Sequence, residues 1–186
     1  MTIQDLVRDG TLTHRADKIL ENNNVAVPSK LPQTIDDAVK TFEDDDSDIV
    51  GFTGRGVYCN GPDTLFYFKG IGHHASRDED FSPFQNSNGN ILHLPSVKQF
   101  PTPLGGMHFH EGLIEFYNGL DLHVKGVTDA VPLAVYECES LTETLREAAE
   151  KELDAKRLDW PRDLSLGVVA WGVPSTLRLN HAFHTH

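Results

Sequence analysis

A lysine and a distant glutamate are the residues of this sequence whose types and contexts could do chemistry. Lys69 directly follows an aromatic run that predicts a strand, and Glu115 lies in a segment that can form a helix. A lysine held on a rigid strand and steered by a helix carboxylate is suited to holding phosphate groups. Glycines let a backbone approach a phosphate closely, and one turn ahead of the lysine contains three of them: Gly51, Gly54 and Gly56. This order predicts a phosphate site.

The elements that would position these residues are short strands separated by turns. Apolar runs flank a glycine turn at 51–56 and a second turn at 60–63, and the run 64–68 is β-branched and aromatic. Further along the chain the pattern predicts strands at 132–136, 164–171 and 175–179 and an amphipathic helix at 141–158. Strands interleaved with helices in this order indicate an α+β fold.

Residues 107–126, which contain Glu115, fit two structures. Leu113, Phe116, Leu120 and Val124 recur at helical spacing. The pair Asn118-Gly119 is also a strong hairpin signal, and each glycine costs a helix about 1 kcal/mol against alanine. On the residues alone both interpretations remain open.

The first part of the chain predicts a helical arm. Residues 1–25 indicate one or two short polar helices, and Thr34–Phe42 indicates another with Thr34 as its N-cap. We therefore predict an arm and linker at 1–48 and a main domain at 49–186, in which 73–103 form a long loop.

Composition narrows the function classes. The 186 residues are 39% hydrophobic, and their formal net charge is -12, which argues against a nucleic-acid binder. There is neither an apolar stretch long enough to cross a membrane nor an N-terminal secretory signal, so we predict a cytoplasmic protein. The only two cysteines, Cys59 and Cys138, are too few for a disulfide scaffold or a cysteine-based zinc site.

Three segments resemble the kinase-like fold of the selenoprotein-O type of protein adenylyltransferase. The segments are LFYFKGIG, LIEFYNGLDLHVKGVTDAVPLAVYE and VVAWGVPSTLRLNHAF. They look like the lysine strand, the glutamate helix with the strand after it, and a Ser-x-x-Arg segment. The resemblance covers about 50–183 and implies the N-terminal lobe, a small antiparallel sheet with a packed helix. It also favours the helix at 107–126.

The resemblance implies a set of roles. Lys69 would hold the phosphates of ATP, Glu115 would pair with Lys69, Arg178 would be a second phosphate contact, and the turn Gly51–Gly56 would cover the phosphates. Trp171 stands where the family has another arginine. The implied activity is AMP transfer from magnesium-bound ATP to protein hydroxyls. Because the magnesium ligands of the family lie in a second lobe, we expect this lobe to be incomplete or inactive without that lobe or a second chain.

Two other classes of function remain. His108, His110 and Glu115 resemble the HxH…E motif of cupins, in which alternate histidines on a strand bind one metal. A non-catalytic interaction domain is the third class. One further pattern, His14-Arg15-Ala16-Asp17 followed by Asn22, resembles a kinase catalytic loop with one residue inserted. It precedes the lysine strand instead of following it, which indicates coincidence.

Overall fold

The computed structural model describes residues 10–44, 49–53, 56–71, 92–93, 102–103, 106–139, 142–143, 146 and 165–174. Its strands and helices follow in chain order: β1 Gly10–Arg15, α1 Ala16–Asn22, α2 Leu31–Glu43, β2 Ile49–Thr53, β3 Gly56–Asn60, β4 Leu65–Lys69, β5 Leu92–His93, β6 Thr102–Pro103, α3 Phe109–Val124, β7 Val131–Cys138 and β8 Leu166–Val173.

Six strands form one antiparallel sheet in the order β1-β7-β8-β4-β3-β2, and β5 pairs with β6 separately. The central strands β7 and β8 have long runs of consecutive buried residues, because both faces of the sheet are covered. The architecture is therefore α+β, as the sequence predicts.

Helices pack on the two opposite faces of this sheet. On one face, the ring of Phe42 from α2 stacks on Tyr136 of β7 with the centroids 4.0 Å apart, and it lies 5.5 Å from Phe68 of β4. On the other face α3 lies so close to the sheet that a Cβ on Gly112 would be 3.2 Å from Val169 Cγ2 of β8. The apolar core thus consists of two layers, one on each face of the sheet.

The N-terminal segment differs from its prediction. Residues 10–15 form the edge strand β1, so the helix predicted there is wrong. The strand pairs with β7, and its first four residues alternate between half-buried and exposed. Helix α2 begins at Leu31, three residues before the predicted Thr34, with Pro32 in its first turn, where proline is tolerated. Its buried residues recur at helical spacing and face the sheet: Leu31, Ile35, Ala38 and Phe42. The domain boundary at 49 stays a prediction, although contacts of α2 with the sheet cross it.

The segment 107–126 is helical over Phe109–Val124, and the hairpin interpretation is wrong. The predicted strands at 64–68, 132–136 and 164–171 correspond to β4, β7 and β8. In the turn between β3 and β4 the Gly61 N–H donates to the Thr64 carbonyl at 2.8 Å. Residues 175–179, nearly all of the loop 73–103 and most of 141–158 lie outside the described residues, although Thr142, Glu143 and Arg146 are helical.

Two further sequence expectations concern membranes and cysteines. Within the part of the chain described here, no helix has both the length and the apolar character that a bilayer crossing requires. Cys59 and Cys138 are both buried. Burial raises the pKa of the Cys138 thiol to about 12, so this side chain is a neutral packing residue.

Candidate functional site

Lys69 and Glu115 form an ion pair between the sheet and helix α3. Lys69 is the last residue of β4, and its Nζ donates a hydrogen bond to Glu115 Oε1 in the second turn of α3. The two side chains are 21% and 25% exposed. Both charges are thus screened less than those of a surface pair and yet stay open to solvent on one side. The structure brings together the two residues that the sequence singled out.

The strand register places one of the predicted glycines next to Lys69. Gly56 of β3 lies directly opposite Lys69 on one side, and Val169 of β8 lies opposite it on the other. Gly51 lies across from Tyr58 in the β2–β3 pair. The chain between β2 and β3, which includes Gly54, lies outside the described residues. The first residue of β3 after this glycine turn is therefore the cross-strand neighbour of Lys69.

The residue after the lysine must be glycine. Gly70 has φ +106°, which L-residues with a side chain rarely adopt, and a Cβ there would lie 2.3 Å from the carbonyl oxygen of Gly167. This position turns the chain out of β4. Beyond it, Ile71 forms a bridge with Gly106, just ahead of α3. Strand β4 and the start of α3 are thus tied together close to the ion pair.

Two tyrosines next to Lys69 were missed from the sequence. Tyr67 lies two residues before Lys69 and so faces the same side of the sheet. Its ring covers Gly56, whose Cβ would be 2.5 Å from Tyr67 Cε2, and it stacks on Tyr58 at 4.7 Å. Both tyrosines are buried. The alternation of aromatic residues with Lys69 along β4 is the signal that could have found them.

The other predicted phosphate contact is Arg178, which lies outside the described residues. Trp171, which stands where the resemblance implies an arginine, lies in β8 opposite Tyr67 and packs against Gly119 of α3. Its role in the described structure is contact with the helix. A cavity of about 470 Å³, lined by Thr64, Phe66 and other residues, lies at the far end of β4 and does not include Lys69 or Glu115.

The histidines of the metal interpretation do not lie together on a strand. His108 has extended backbone just before α3, whereas His110 is exposed in the first helical turn. Glu115 is paired with Lys69. Among the residues that the structure describes, no three His, Cys, Asp or Glu side chains are grouped as metal ligands. The open sheet with helices on both faces is also not the barrel of a cupin.

Two of the residues that resemble a catalytic loop, Arg15 and Asp17, form a structural clamp with Asp36 of α2. Arg15 Nε and Nη2 each donate to a carboxylate oxygen of Asp17 at 3.1 Å, and Nη1 donates to Asp36 Oδ1 of α2 at 2.8 Å. Burial by itself would raise the pKa of Asp17, but the hydrogen bonds and charge of Arg15 outweigh it, so the pKa is lowered. The clamp joins β1, α1 and α2.

Comparisons with protein-family models, with curated proteins and with solved structures found no match for this chain.

Proposed function

We propose that this chain is an ATP-binding lobe of the kinase-like fold, similar to that of the selenoprotein-O type of adenylyltransferase. The observation that carries the proposal is the ion pair between Lys69 at the end of a sheet strand and Glu115 on the helix that packs against the sheet. In protein kinases, a strand lysine paired with a helix glutamate in this way holds the phosphates of ATP.

The order of the elements supports the same interpretation. Strands β2, β3 and β4 form a meander, and the lysine lies on its third strand after a glycine-containing hairpin. The helix with the glutamate follows and leads into β7 and β8, which complete the sheet. Protein kinases also have a glycine-rich loop, then a lysine on the third strand, then a glutamate on the next helix. Here β1 is an additional strand beside β7.

The proposed chemistry assigns limited tasks to these side chains. The ammonium group of Lys69 would donate to phosphate oxygens, and Glu115 would hold it in place. In AMP transfer, a protein hydroxyl oxygen attacks the α-phosphorus and pyrophosphate leaves. Magnesium would neutralise phosphate charge, but the described residues contain no group of three acidic or histidine side chains that fits it. We infer that the magnesium ligands and the catalytic base come from a second lobe or a partner chain.

The first test is the melting temperature with and without magnesium-ATP. Ligand at about 100 times its dissociation constant adds roughly 2.7 kcal/mol to the free energy of unfolding, which raises the melting temperature of such a domain by a few degrees. We expect this rise for the wild type and its loss in Lys69→Ala, because the phosphates then lack their cation.

A matched control is Lys125→Ala. Lys125, just after the end of α3, forms an exposed ion pair with Asp121, so its removal also deletes a lysine from an ion pair. It lies ten residues beyond Glu115, or about 15 Å along the helix. This variant should show the full rise. An equal rise in Lys69→Ala, or no rise in the wild type, would contradict the proposal.

A further inference from the structure

The helix that bears Glu115 is held unusually close to the sheet at two points. A Cβ on Gly112 would lie 3.2 Å from both Met107 Cε and Val169 Cγ2. A Cβ on Gly119 would lie only 2.4 Å from Cη2 of Trp171, 2.9 Å from Cζ3 of the same ring and 3.2 Å from Pro132 Cγ. Side-chain Cβ atoms essentially never approach within 3.0 Å, so at Gly119 the helix has no room for a methyl group.

These two glycines lie on either side of Glu115 along the helix. They are seven residues, or about two turns, apart, and Glu115 lies between them. Under the glycines lie residues of β8, Val169 and Trp171, and Val169 is the cross-strand neighbour of Lys69. The distance between α3 and the sheet at Gly119 is thus determined by a side chain of β8, the strand that pairs with the lysine strand β4.

We propose that Trp171 and Gly119 are positioning residues that set the distance between α3 and the sheet and thereby hold Glu115 within reach of Lys69. The inference deepens the proposed function and rests on it for its role in nucleotide binding. It also gives a physical account of Trp171. The indole stands at the position where the resemblance implies a phosphate-binding arginine. The edge of its ring packs against the helix at Gly119. Its buried N–H has no hydrogen-bond partner among the described residues, as is consistent with a role in packing.

The test measures the reactivity of Lys69 toward an amine-acylating reagent, followed residue by residue by mass spectrometry on the folded full-length chain. An ion-paired lysine reacts more slowly than an unpaired one, and Glu115→Gln gives the rate without the pair. In Gly119→Ala the added methyl group pushes α3 away from the indole. We expect Lys69 to be acylated faster in this variant than in the wild type, by more than half of the difference in rate between the wild type and Glu115→Gln. We also expect the variant to bind magnesium-ATP more weakly.

The rescue variant separates positioning from a general loss of structure. Phenylalanine at 171 lacks the outer ring atoms that a Cβ at position 119 would meet, so Trp171→Phe combined with Gly119→Ala should restore slow acylation of Lys69. Asn118→Ala, at an exposed neighbouring position on α3, is the control and should react like the wild type. Acylation of Lys125 should be the same in all variants.

Three results would overturn the inference. Wild-type reactivity of Lys69 in Gly119→Ala would show that the helix adapts without moving Glu115. Fast acylation in the double variant would show that contact with Trp171 is not the cause. An unchanged rate in Glu115→Gln would show that the pair does not protect Lys69 in solution. If the acylation pattern is as expected but no variant, including the wild type, binds magnesium-ATP, the positioning stands and the proposed function fails.

Discussion

Replacing Phe42 with alanine should destabilise the protein by about 3–5 kcal/mol, the range for truncating a buried aromatic side chain. The ring is 1% exposed, stacks on Tyr136 and contacts Phe68, so its loss leaves a cavity between α2 and the sheet. Because domains of this size are stable by only about 5–15 kcal/mol, the midpoint of urea unfolding should fall sharply.

This result bears on the role of the N-terminal segment. The comparison variant is Lys40→Ala, two residues earlier on the exposed side of α2. Its free energy of unfolding should lie within about 0.5 kcal/mol of the wild-type value. If α2 were an arm independent of the sheet, Phe42→Ala would leave the main unfolding transition where it is. That outcome would contradict the packing described above.

Removing Arg15 should cost about 3 kcal/mol. The Asp17 side chain is only 3% exposed, and Arg15→Ala would leave its carboxylate buried without the cation that compensates it. The exposed bridge from Arg15 to Asp36 adds little to this cost, because solvent screens it. Urea unfolding at pH 7 measures the change. The control Lys18→Ala, which removes an exposed cation from the first turn of α1, should have a small effect.

The same clamp predicts a dependence on acid. The pKa of Asp17 is lower in the folded than in the unfolded chain, so its contribution to stability is complete above the unfolded value of about 4. It is lost as the pH falls through the lower, folded pKa. The difference in unfolding free energy between the wild type and Asp17→Asn should therefore be largest near pH 6 and should shrink toward pH 2. A difference that is independent of pH would show that Arg15 does not stabilise the carboxylate.

The sequence predicts the central part of the fold because its strands carry strong local signals. The run before Lys69 and the apolar segments of β7 and β8 have the residue types of buried strands, and the turn at Gly61 has the residue types of a turn. The edge strand β1 is different, because its residues 10–15 are mostly polar. An exposed edge strand and a short polar helix have the same composition, and only pairing with β7 decides between them.

Helix α3 shows where local propensity is overridden. Gly112 and Gly119 weaken an isolated helix, and Asn118-Gly119 is a hairpin signal. In the fold, however, both glycines allow the helix to approach the sheet. This advantage depends on Trp171 and Val169, which lie more than 40 residues away in sequence, so no local pattern could show it.

The candidate site was predictable only in part. Lys69 and Glu115 were found from their order and contexts, and the structure pairs them. The tyrosine stack of Tyr58 and Tyr67 depends on the register between β3 and β4, which the sequence does not reveal. Arg178 stays a prediction, because it lies outside the described residues.

The most direct test of the central claim asks whether the Lys69 amine meets the phosphates of ATP. An acyl-phosphate derivative of ATP transfers its acyl group to a lysine that lies beside the bound phosphates, and peptide mass spectrometry identifies that lysine. We predict that Lys69 is the main labelled residue and that excess magnesium-ATP prevents its labelling, whereas exposed Lys30 and Lys125 react only weakly and without competition. Labelling of Lys69 that is no stronger than that of Lys125, or that magnesium-ATP does not prevent, would contradict the account.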